Sequence, residues 1–149
     1  MSRLSLDANV LVYGVDASDP TKHRTARRVI TLAAERDCVL TLQALAEFYF
    51  VATRKGKLGA PQAKARVDEL RSVFPMALPS ARTLNLAIDT SERHRIGFWD
   101  GMLLAVMQEA GVEILLTEDL QDGQVYEGVR CLNPFAHSSA QIIKIIRSS

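Results

Sequence analysis

The 149-residue sequence has little cysteine and no long apolar run. Its 2 cysteines, Cys38 and Cys131, lie in apolar surroundings, and neither belongs to a CxxC motif or a Cys/His cluster. We therefore expect reduced core thiols rather than disulfides or a zinc site. No apolar run approaches the roughly 18 residues of a membrane span, and no apolar signal region precedes the first predicted strand. These absences predict a cytoplasmic protein that is neither exported nor inserted into a membrane.

The sequence also has almost no net charge. Its 18 basic and 17 acidic residues give a formal charge of +1, which argues against a strongly basic nucleic-acid coat. Any contact with nucleic acid must then come from local basic clusters. Such clusters contain Lys22, Arg24, Arg54 and Lys55, although a solvated helix surface is the simpler explanation for each cluster taken singly.

Strand and helix patterns alternate along the chain. Short apolar runs predict strands just before Asp7 and at 38–42, 112–117 and 129–132, with a further candidate at 76–78. Helical spacing predicts helices from Ala8 and over 21–35, 43–54, 61–73, 81–93 and 98–110. No internal repeat, low-complexity linker or composition shift marks a second domain. The alternation predicts an α/β fold in which right-handed crossovers build a parallel sheet between layers of helices.

Three acidic residues stand alone in long uncharged stretches. Asp7, Glu47 and Asp100 are each the only charged residue within an otherwise apolar or neutral run. Acids are rarely buried unless they are paired, because desolvating an ionised carboxylate costs several kcal/mol or more. We therefore expect a cationic partner for these three side chains.

Topology brings these acids together with a fourth. In a strand–helix–strand unit, strand endings and helix beginnings share one edge of the sheet. Asp7 and Asp119 follow predicted strands, Asp100 lies in the first turn of the helix before the second of these strands, and Glu47 lies one turn into another helix. The helix and the following strand have nearly the same length, because about eleven helical residues and about five strand residues each cover about 17 Å. The end of the strand therefore lies at the same edge as the start of the helix. All four carboxylates are therefore expected at the carboxyl edge of the sheet.

Clustered carboxylates repel one another, which raises their pKa values unless a cation lies among them. No His or Cys has ligand spacing near them, and an all-oxygen set suits Mg²⁺ or Mn²⁺ rather than zinc. Such a cation activates water and stabilises charge on a phosphate, as in metal-dependent nucleases. Each acid also has a simpler role: a helix cap for Asp7, a helix-dipole partner for Asp100, a surface position for Glu47 and a turn for Asp119.

Four sequence blocks contain these acids, and they read L-D-A-N-V-L-V-Y at 6–13, Q-A-L-A-E-F-Y at 43–49, F-W-D-G at 98–101 and L-L-T-E-D-L-Q-D-G at 115–123. Together they resemble the PIN-domain family, and more narrowly the VapC-type toxins of bacterial toxin–antitoxin pairs. The resemblance implies a PIN-like three-layer α/β/α sandwich with a central, mainly parallel sheet of four to five strands. It places a nuclease domain at 1–135 and a C-terminal extension at 136–149. It also implies a Mg²⁺- or Mn²⁺-dependent endoribonuclease, usually a homodimer, that a cognate antitoxin inhibits.

The same resemblance assigns roles by position. It gives the family's acidic metal-binding quartet as Asp7, Glu47, Asp100 and Asp119. It gives supporting polar positions, which orient a carboxylate or a water, as Asn9 and Thr117. Glu118 and Asp122 leave the fourth ligand open: the family pattern favours Asp119, whereas Asp122 either joins a second metal through water or forms the turn.

Metal-dependent RNA hydrolysis is thus the leading hypothesis for the function. Lys22, Arg24, Arg54 and Lys55 are candidates for contacts with RNA phosphates. Phe98 and Trp99 could stack on a base, but a core role is the simpler expectation for both. The isoleucines of 136–149 are expected to dock on the core or on another subunit.

Two rival functions remain open. One is a phosphatase with Asp7 as its nucleophile, although Asn9 stands where such enzymes have their general acid. The other is a non-cleaving RNA- or partner-binding module built on the same fold.

Overall fold

The computed structural model describes residues 2–54 and 57–148. In chain order its elements are β1 (Leu4–Leu6), α1 (Ala8–Tyr13), α2 (Pro20–Ala33), β2 (Leu40–Thr41), α3 (Leu42–Arg54), α4 (Ala60–Val73), β3 (Met76–Ala77), α5 (Ala81–His94), α6 (Phe98–Glu109), β4 (Ile114–Leu116), β5 (Val125–Tyr126), β6 (Val129–Leu132) and α7 (Ser139–Ser148).

The central sheet is mainly parallel, as the sequence predicts. Its strands lie in the order β1-β4-β6-β5, and only β5 runs antiparallel to its neighbour. Leu6, Leu116 and Leu132 occupy one row across the three parallel strands. A second, two-stranded parallel sheet of β2 and β3 continues from the β1 edge, where Leu4 bridges to Cys38.

Both faces of the central sheet are buried, and this produces the three layers. Neighbouring residues of a strand point to opposite faces, so Leu116 and Leu115 of β4 enter different cores. Leu116 packs with buried residues of α1, α2, α3 and α7, whereas Leu115 packs with Leu104 and Met107 of α6. The strands of a sheet that is buried on both faces have continuous apolar sequences, rather than sequences in which apolar and polar residues alternate.

The C-terminal helix α7 belongs to the first of these cores. Ile142 and Ile146 are buried against it, and α7 contacts α2. The isoleucines at 142 and 146 therefore dock within the same chain. The boundary between a domain at 1–135 and an extension at 136–149 stays a prediction.

Within the described residues, none of the helices combines the length and apolar character needed to cross a membrane.

A close approach of α5 and α6 sets the position of the α6 N-terminus. A Cβ atom at Gly101 would lie 2.8 Å from the Ala87 carbonyl oxygen and 2.9 Å from Ser91 Cβ. Only glycine therefore allows these two helices to pack at this distance. Because Gly101 follows Asp100 directly, the same contact fixes where the Asp100 backbone lies relative to α5.

The structure differs from the sequence prediction mainly in short elements. The strand predicted at 38–42 is only Leu40–Thr41, because α3 already begins at Leu42. The two-residue strand β5 was not predicted. It is joined to β6 by Glu127 and Gly128, which both have positive φ angles, as a tight two-residue hairpin turn requires.

Candidate active site

Asp7 lies at the junction of β1 and α1, where it caps the helix with one carboxylate oxygen and bonds across the sheet edge with the other. Its Oδ1 accepts a hydrogen bond from the Ala8 amide at 2.7 Å, as a helix cap does. Its Oδ2 accepts a hydrogen bond from the Thr117 hydroxyl at 2.7 Å, across the sheet edge. Asp7 is only 4% exposed, so this carboxylate is held in one orientation.

Thr117 is the centre of the polar network at this edge. Besides donating to Asp7, its Oγ1 accepts from Asn9 Nδ2 at 3.3 Å and from the Asp119 amide at 3.1 Å. Asn9 Oδ1 in turn accepts from the Glu118 amide at 3.4 Å. The supporting positions Asn9 and Thr117 therefore connect the end of β1 to the loop that carries Asp119.

Electrostatic interactions connect the four acids. Burial raises the pKa of Asp7 to about 6, against the opposing hydrogen bonds from Thr117 and Ala8, and the charges of Asp119 and Glu47 add to the rise. Burial also raises the pKa of Asp100, again with contributions from Asp119 and Glu47. The structure thus brings the predicted quartet into one electrostatic group, with Asp7 most buried and with Glu47 and Asp119 exposed.

Glu47 is held by a residue that the sequence analysis missed. Gln43 Nε2 donates to Glu47 Oε1 at 3.0 Å and to the Trp99 carbonyl oxygen at 3.0 Å. Gln43 therefore ties the Glu47 carboxylate to the first turn of α6, next to Asp100. The spacing of four residues between Gln43 and Glu47 on one helix was the available signal. The link to Trp99 was not readable from the sequence.

An open cleft of about 470 Å³ lies beside the quartet. Glu47 and Asp119 line it, together with Asn9, Tyr13 and Glu118. Glu118, one candidate for an additional ligand, accepts hydrogen bonds from the Tyr13 hydroxyl and the Lys22 ammonium.

Asp122, the other candidate, is turned to a different part of the loop. Its Oδ1 accepts from the Asn133 amide at 2.8 Å, and its Oδ2 lies 2.9 Å from His137 Nε2. The Asn133 amide is the main cause of its lowered pKa, with His137 and Arg130 contributing. The structure therefore does not bring Asp122 together with the four acids.

The candidate RNA contacts lie in different settings. Lys22 reaches the cleft wall through Glu118, Arg24 is exposed on α2, and Arg54 stacks on the Phe50 ring at 5.1 Å. Lys55 lies outside the described residues. The expected core role of Trp99 is wrong: its side chain is 66% exposed, because it projects from the first turn of α6. Phe98 is half-buried and contacts it edge to face.

The donor set fits a hydrated divalent cation. In residues 2–54 and 57–148, no three His, Cys, Asp or Glu side chains already stand at direct metal-ligand spacing. Over the same ranges no basic side chain forms an ion pair with the four acids. Mg²⁺ keeps several waters and takes only one or two carboxylates directly. Four acids that lie beyond direct ligand spacing therefore suit a hydrated Mg²⁺, which some of them would contact through water. A cation there would relieve the electrostatic repulsion that raises the pKa values of Asp7 and Asp100.

Comparison with known proteins identifies the family. The sequence model of the PIN domain family matches residues 4–126, which is most of the chain. The protein therefore belongs to the PIN domain family. This match and the sheet topology confirm the predicted PIN-like sandwich. Among curated proteins, none matches the chain.

Solved structures share the fold. VapC20 from Mycobacterium tuberculosis, a toxin that cleaves the sarcin–ricin loop, has 20% identity and a TM-score of 0.63 over 85% of this chain and 98% of that one. VapBC2 from Rickettsia felis, bound to a DNA fragment from its promoter, has 14% identity and a TM-score of 0.63 over 87% and 96%. PAE2754 from Pyrobaculum aerophilum has 12% identity and a TM-score of 0.59 over 99% and 91%. At these identities the likeness is one of fold.

Proposed function

We propose that this PIN-domain protein is a Mg²⁺- or Mn²⁺-dependent endoribonuclease and the VapC-type toxin of a toxin–antitoxin pair in the cytoplasm. One observation supports the nuclease most strongly. The buried carboxylate of Asp7 and the partly buried carboxylate of Asp100 both have raised pKa values, and both face the charges of Glu47 and Asp119. Acids beside a cleft whose pKa values are raised by burial and by neighbouring carboxylates are candidates for a functional site.

The chain's own residues prepare this site for phosphodiester hydrolysis. Thr117 and the Ala8 amide orient Asp7, and Gln43 orients Glu47. A divalent cation held among these acids would supply an activated water and neutralise charge on the phosphate. In the net reaction the water oxygen bonds to phosphorus, the bond from phosphorus to the 3′ oxygen breaks and that oxygen takes up a proton. The products carry 5′-phosphate and 3′-hydroxyl ends.

RNA cleavage by the purified protein tests this proposal. We expect a panel of structured RNAs to include one that is cut with Mg²⁺ or Mn²⁺ and not with EDTA. Asp7→Asn should abolish cutting, because it removes the most buried acid of the quartet. Asp68→Asn is the matched control: its carboxylate is exposed on α4, where it pairs with Lys64 at 2.7 Å, and cutting should persist. Undiminished cleavage by Asp7→Asn would overturn the assignment.

A homodimer and a cognate antitoxin complete the proposal. The family resemblance supports both, and the exposed apolar side chains of Phe50, Leu78 and Trp99, which are 55%, 65% and 66% exposed, offer surface for such contacts. Light scattering should give a mass of twice 16.5 kDa. Co-expression with the small protein encoded by a neighbouring reading frame should yield a complex that no longer cuts RNA. A monomer at all concentrations would refute the dimer.

The main alternative is a non-cleaving RNA-binding module on the same fold. Binding of both Mn²⁺ and RNA without cleavage across the whole RNA panel would identify that module and would remove the nuclease proposal.

A further inference from the structure

Tyr13 and Glu118 line the cleft next to the quartet, and both belong to a connected group of side chains. We call this group the Lys22 cluster, and it consists of Lys22, Tyr13, Glu118 and Phe135. The Tyr13 hydroxyl donates to Glu118 Oε1 at 2.8 Å, and Lys22 Nζ donates to Glu118 Oε2 at 3.0 Å. Lys22 Nζ also donates to the Tyr13 hydroxyl at 3.3 Å. Three parts of the chain, α1, α2 and the loop after β4, thus meet in one hydrogen-bonded triangle.

The Glu118 side chain is held within this cluster at both of its oxygens. Each of its two carboxylate oxygens accepts a hydrogen bond, one from Tyr13 and the other from Lys22. Its backbone amide donates to Asn9 Oδ1. Although Glu118 precedes Asp119 directly, its side chain is therefore bonded to α1 and α2 rather than to the acids of the quartet.

Aromatic rings restrict the Lys22 side chain further. Its Nζ lies 5.0 Å from the centre of the Tyr13 ring and 5.5 Å from the centre of the Phe135 ring. These rings pack edge to face at 4.9 Å. The side chain of Lys22 is still 35% exposed, and an ammonium group has three N–H donors. Two of them are directed at Glu118 and Tyr13, which leaves the third for a further acceptor.

Besides the divalent cation proposed at the quartet, a cationic side chain beside the cleft would help it to hold RNA. Asp16, Asp19, Glu47, Glu118 and Asp119 all line it, and these carboxylates repel a phosphate backbone. A lysine whose rotamers are already restricted contributes more to binding than a free one, because less side-chain entropy is lost when the contact forms.

We propose that Lys22 contacts an RNA phosphate next to the cleaved bond, and that Glu118 and Tyr13 are positioning residues that hold Lys22 for this contact. Glu118 is then not a metal ligand. This inference rests on the proposed RNA substrate, and it assigns to the Lys22 cluster a role separate from that of the quartet.

The first test measures RNA binding as a function of salt. A fluorescein-labelled structured RNA is titrated in the Asp7→Asn background, so that it stays intact, between about 50 and 200 mM salt. Lys22→Ala should reduce the slope of log K against log salt by about 0.7 to 0.9, because one phosphate contact is lost. Lys22→Arg should restore the slope. Lys64→Ala is the control, since Lys64 pairs with Asp68 on exposed α4, and its slope should equal that of the parent.

The second test asks whether Glu118 and Tyr13 act through Lys22. In otherwise wild-type protein, Lys22→Ala should raise KM roughly fivefold to tenfold with little change in kcat, as expected for lost uniform binding. Tyr13→Phe and Glu118→Gln should each change KM when Lys22 is present and have no further effect in the Lys22→Ala background. A merely structural role would give additive effects in the double variants.

The third test separates a positioning role from metal binding. Glu118→Gln should keep the Mn²⁺ affinity of the wild-type protein within about twofold, whereas Asp119→Asn should lower it by roughly tenfold or more. Equal losses in the two variants would make Glu118 a ligand and overturn the inference. So would an unchanged salt slope in Lys22→Ala. If the wild-type protein neither binds nor cuts any RNA, the proposed function itself fails, whereas cleavage with a normal Lys22→Ala slope removes only this inference.

Discussion

The buried charge of Asp7 should make the metal-free protein less stable than a neutral variant. The pKa of Asp7 rises from 3.8 to about 6, and each pKa unit corresponds to about 1.4 kcal/mol. Ionised Asp7 therefore costs about 3 kcal/mol near neutral pH. Asp7→Asn removes this charge and keeps an oxygen that can accept from the Ala8 amide. Because the amide accepts less strongly than a carboxylate, we expect a net gain of about 1 to 3 kcal/mol.

The gain should depend on pH with a defined sign. A carboxyl whose folded pKa lies above its unfolded value stabilises the fold fully below the unfolded value, and this stability is lost as pH rises through the folded value. For Asp7 the window runs from 3.8 to about 6. The advantage of Asp7→Asn should therefore be full above this window and should vanish below it.

Urea unfolding in EDTA measures this difference directly. Near neutral pH the Asp7→Asn variant should unfold at higher urea with an unchanged m-value, and its Tm should rise by about 2 to 4 °C per kcal/mol. Asp68→Asn, a change to an exposed carboxylate, should stay within about 0.5 kcal/mol of the wild-type protein. An Asp7→Asn variant less stable than wild type under these conditions would refute the reasoning.

Three further changes test packing and site geometry. Gly101→Ala should destabilise the protein by about 1 to 3 kcal/mol in urea unfolding, because its Cβ would lie 2.8 Å from the Ala87 carbonyl oxygen. An unchanged unfolding midpoint would contradict the close contact between α5 and α6. Thr117→Val should lower Mn²⁺ affinity by about 10-fold to 100-fold, because the hydrogen bond to Asp7 is lost. Thr117→Ser should recover the affinity. Equal Mn²⁺ affinities in the wild-type protein and both variants would mean that Thr117 does not orient Asp7. Ile146→Ala, at a fully buried position, should cost about 2 to 5 kcal/mol in the same unfolding assay, and a loss below about 0.5 kcal/mol would mean that α7 does not dock in solution.

The parallel sheet could be predicted because its physical signals are local. Buried strands such as β4 and β6 read as apolar runs, and the helices between them have clear apolar spacing. The direction of each element then places Asp7, Asp100 and Asp119 at one edge without any knowledge of side-chain contacts. The helix cap predicted for Asp7 uses only one carboxylate oxygen, and the other bonds to Thr117 across the sheet edge, so the cap does not compete with a site role.

The remaining features depend on contacts between distant parts of the chain. The two residues of β5 carry too little pattern to predict a strand, and the hairpin is set by the positive φ angles of Glu127 and Gly128. Gln43 reaches Trp99 across 56 positions, which no local pattern encodes. The exposure of Trp99 likewise depends on how α6 begins, not on the hydrophobicity of its side chain.

The central claim is that the four acids act together to hold a divalent cation. Calorimetric titration of Mn²⁺ into the wild-type protein and into Asp119→Asn tests it most directly, since Asp119 influences the pKa of both Asp7 and Asp100. We predict saturable binding to the wild-type protein and a loss of affinity of about tenfold or more in the variant. Equal Mn²⁺ affinity in the two proteins would contradict the account.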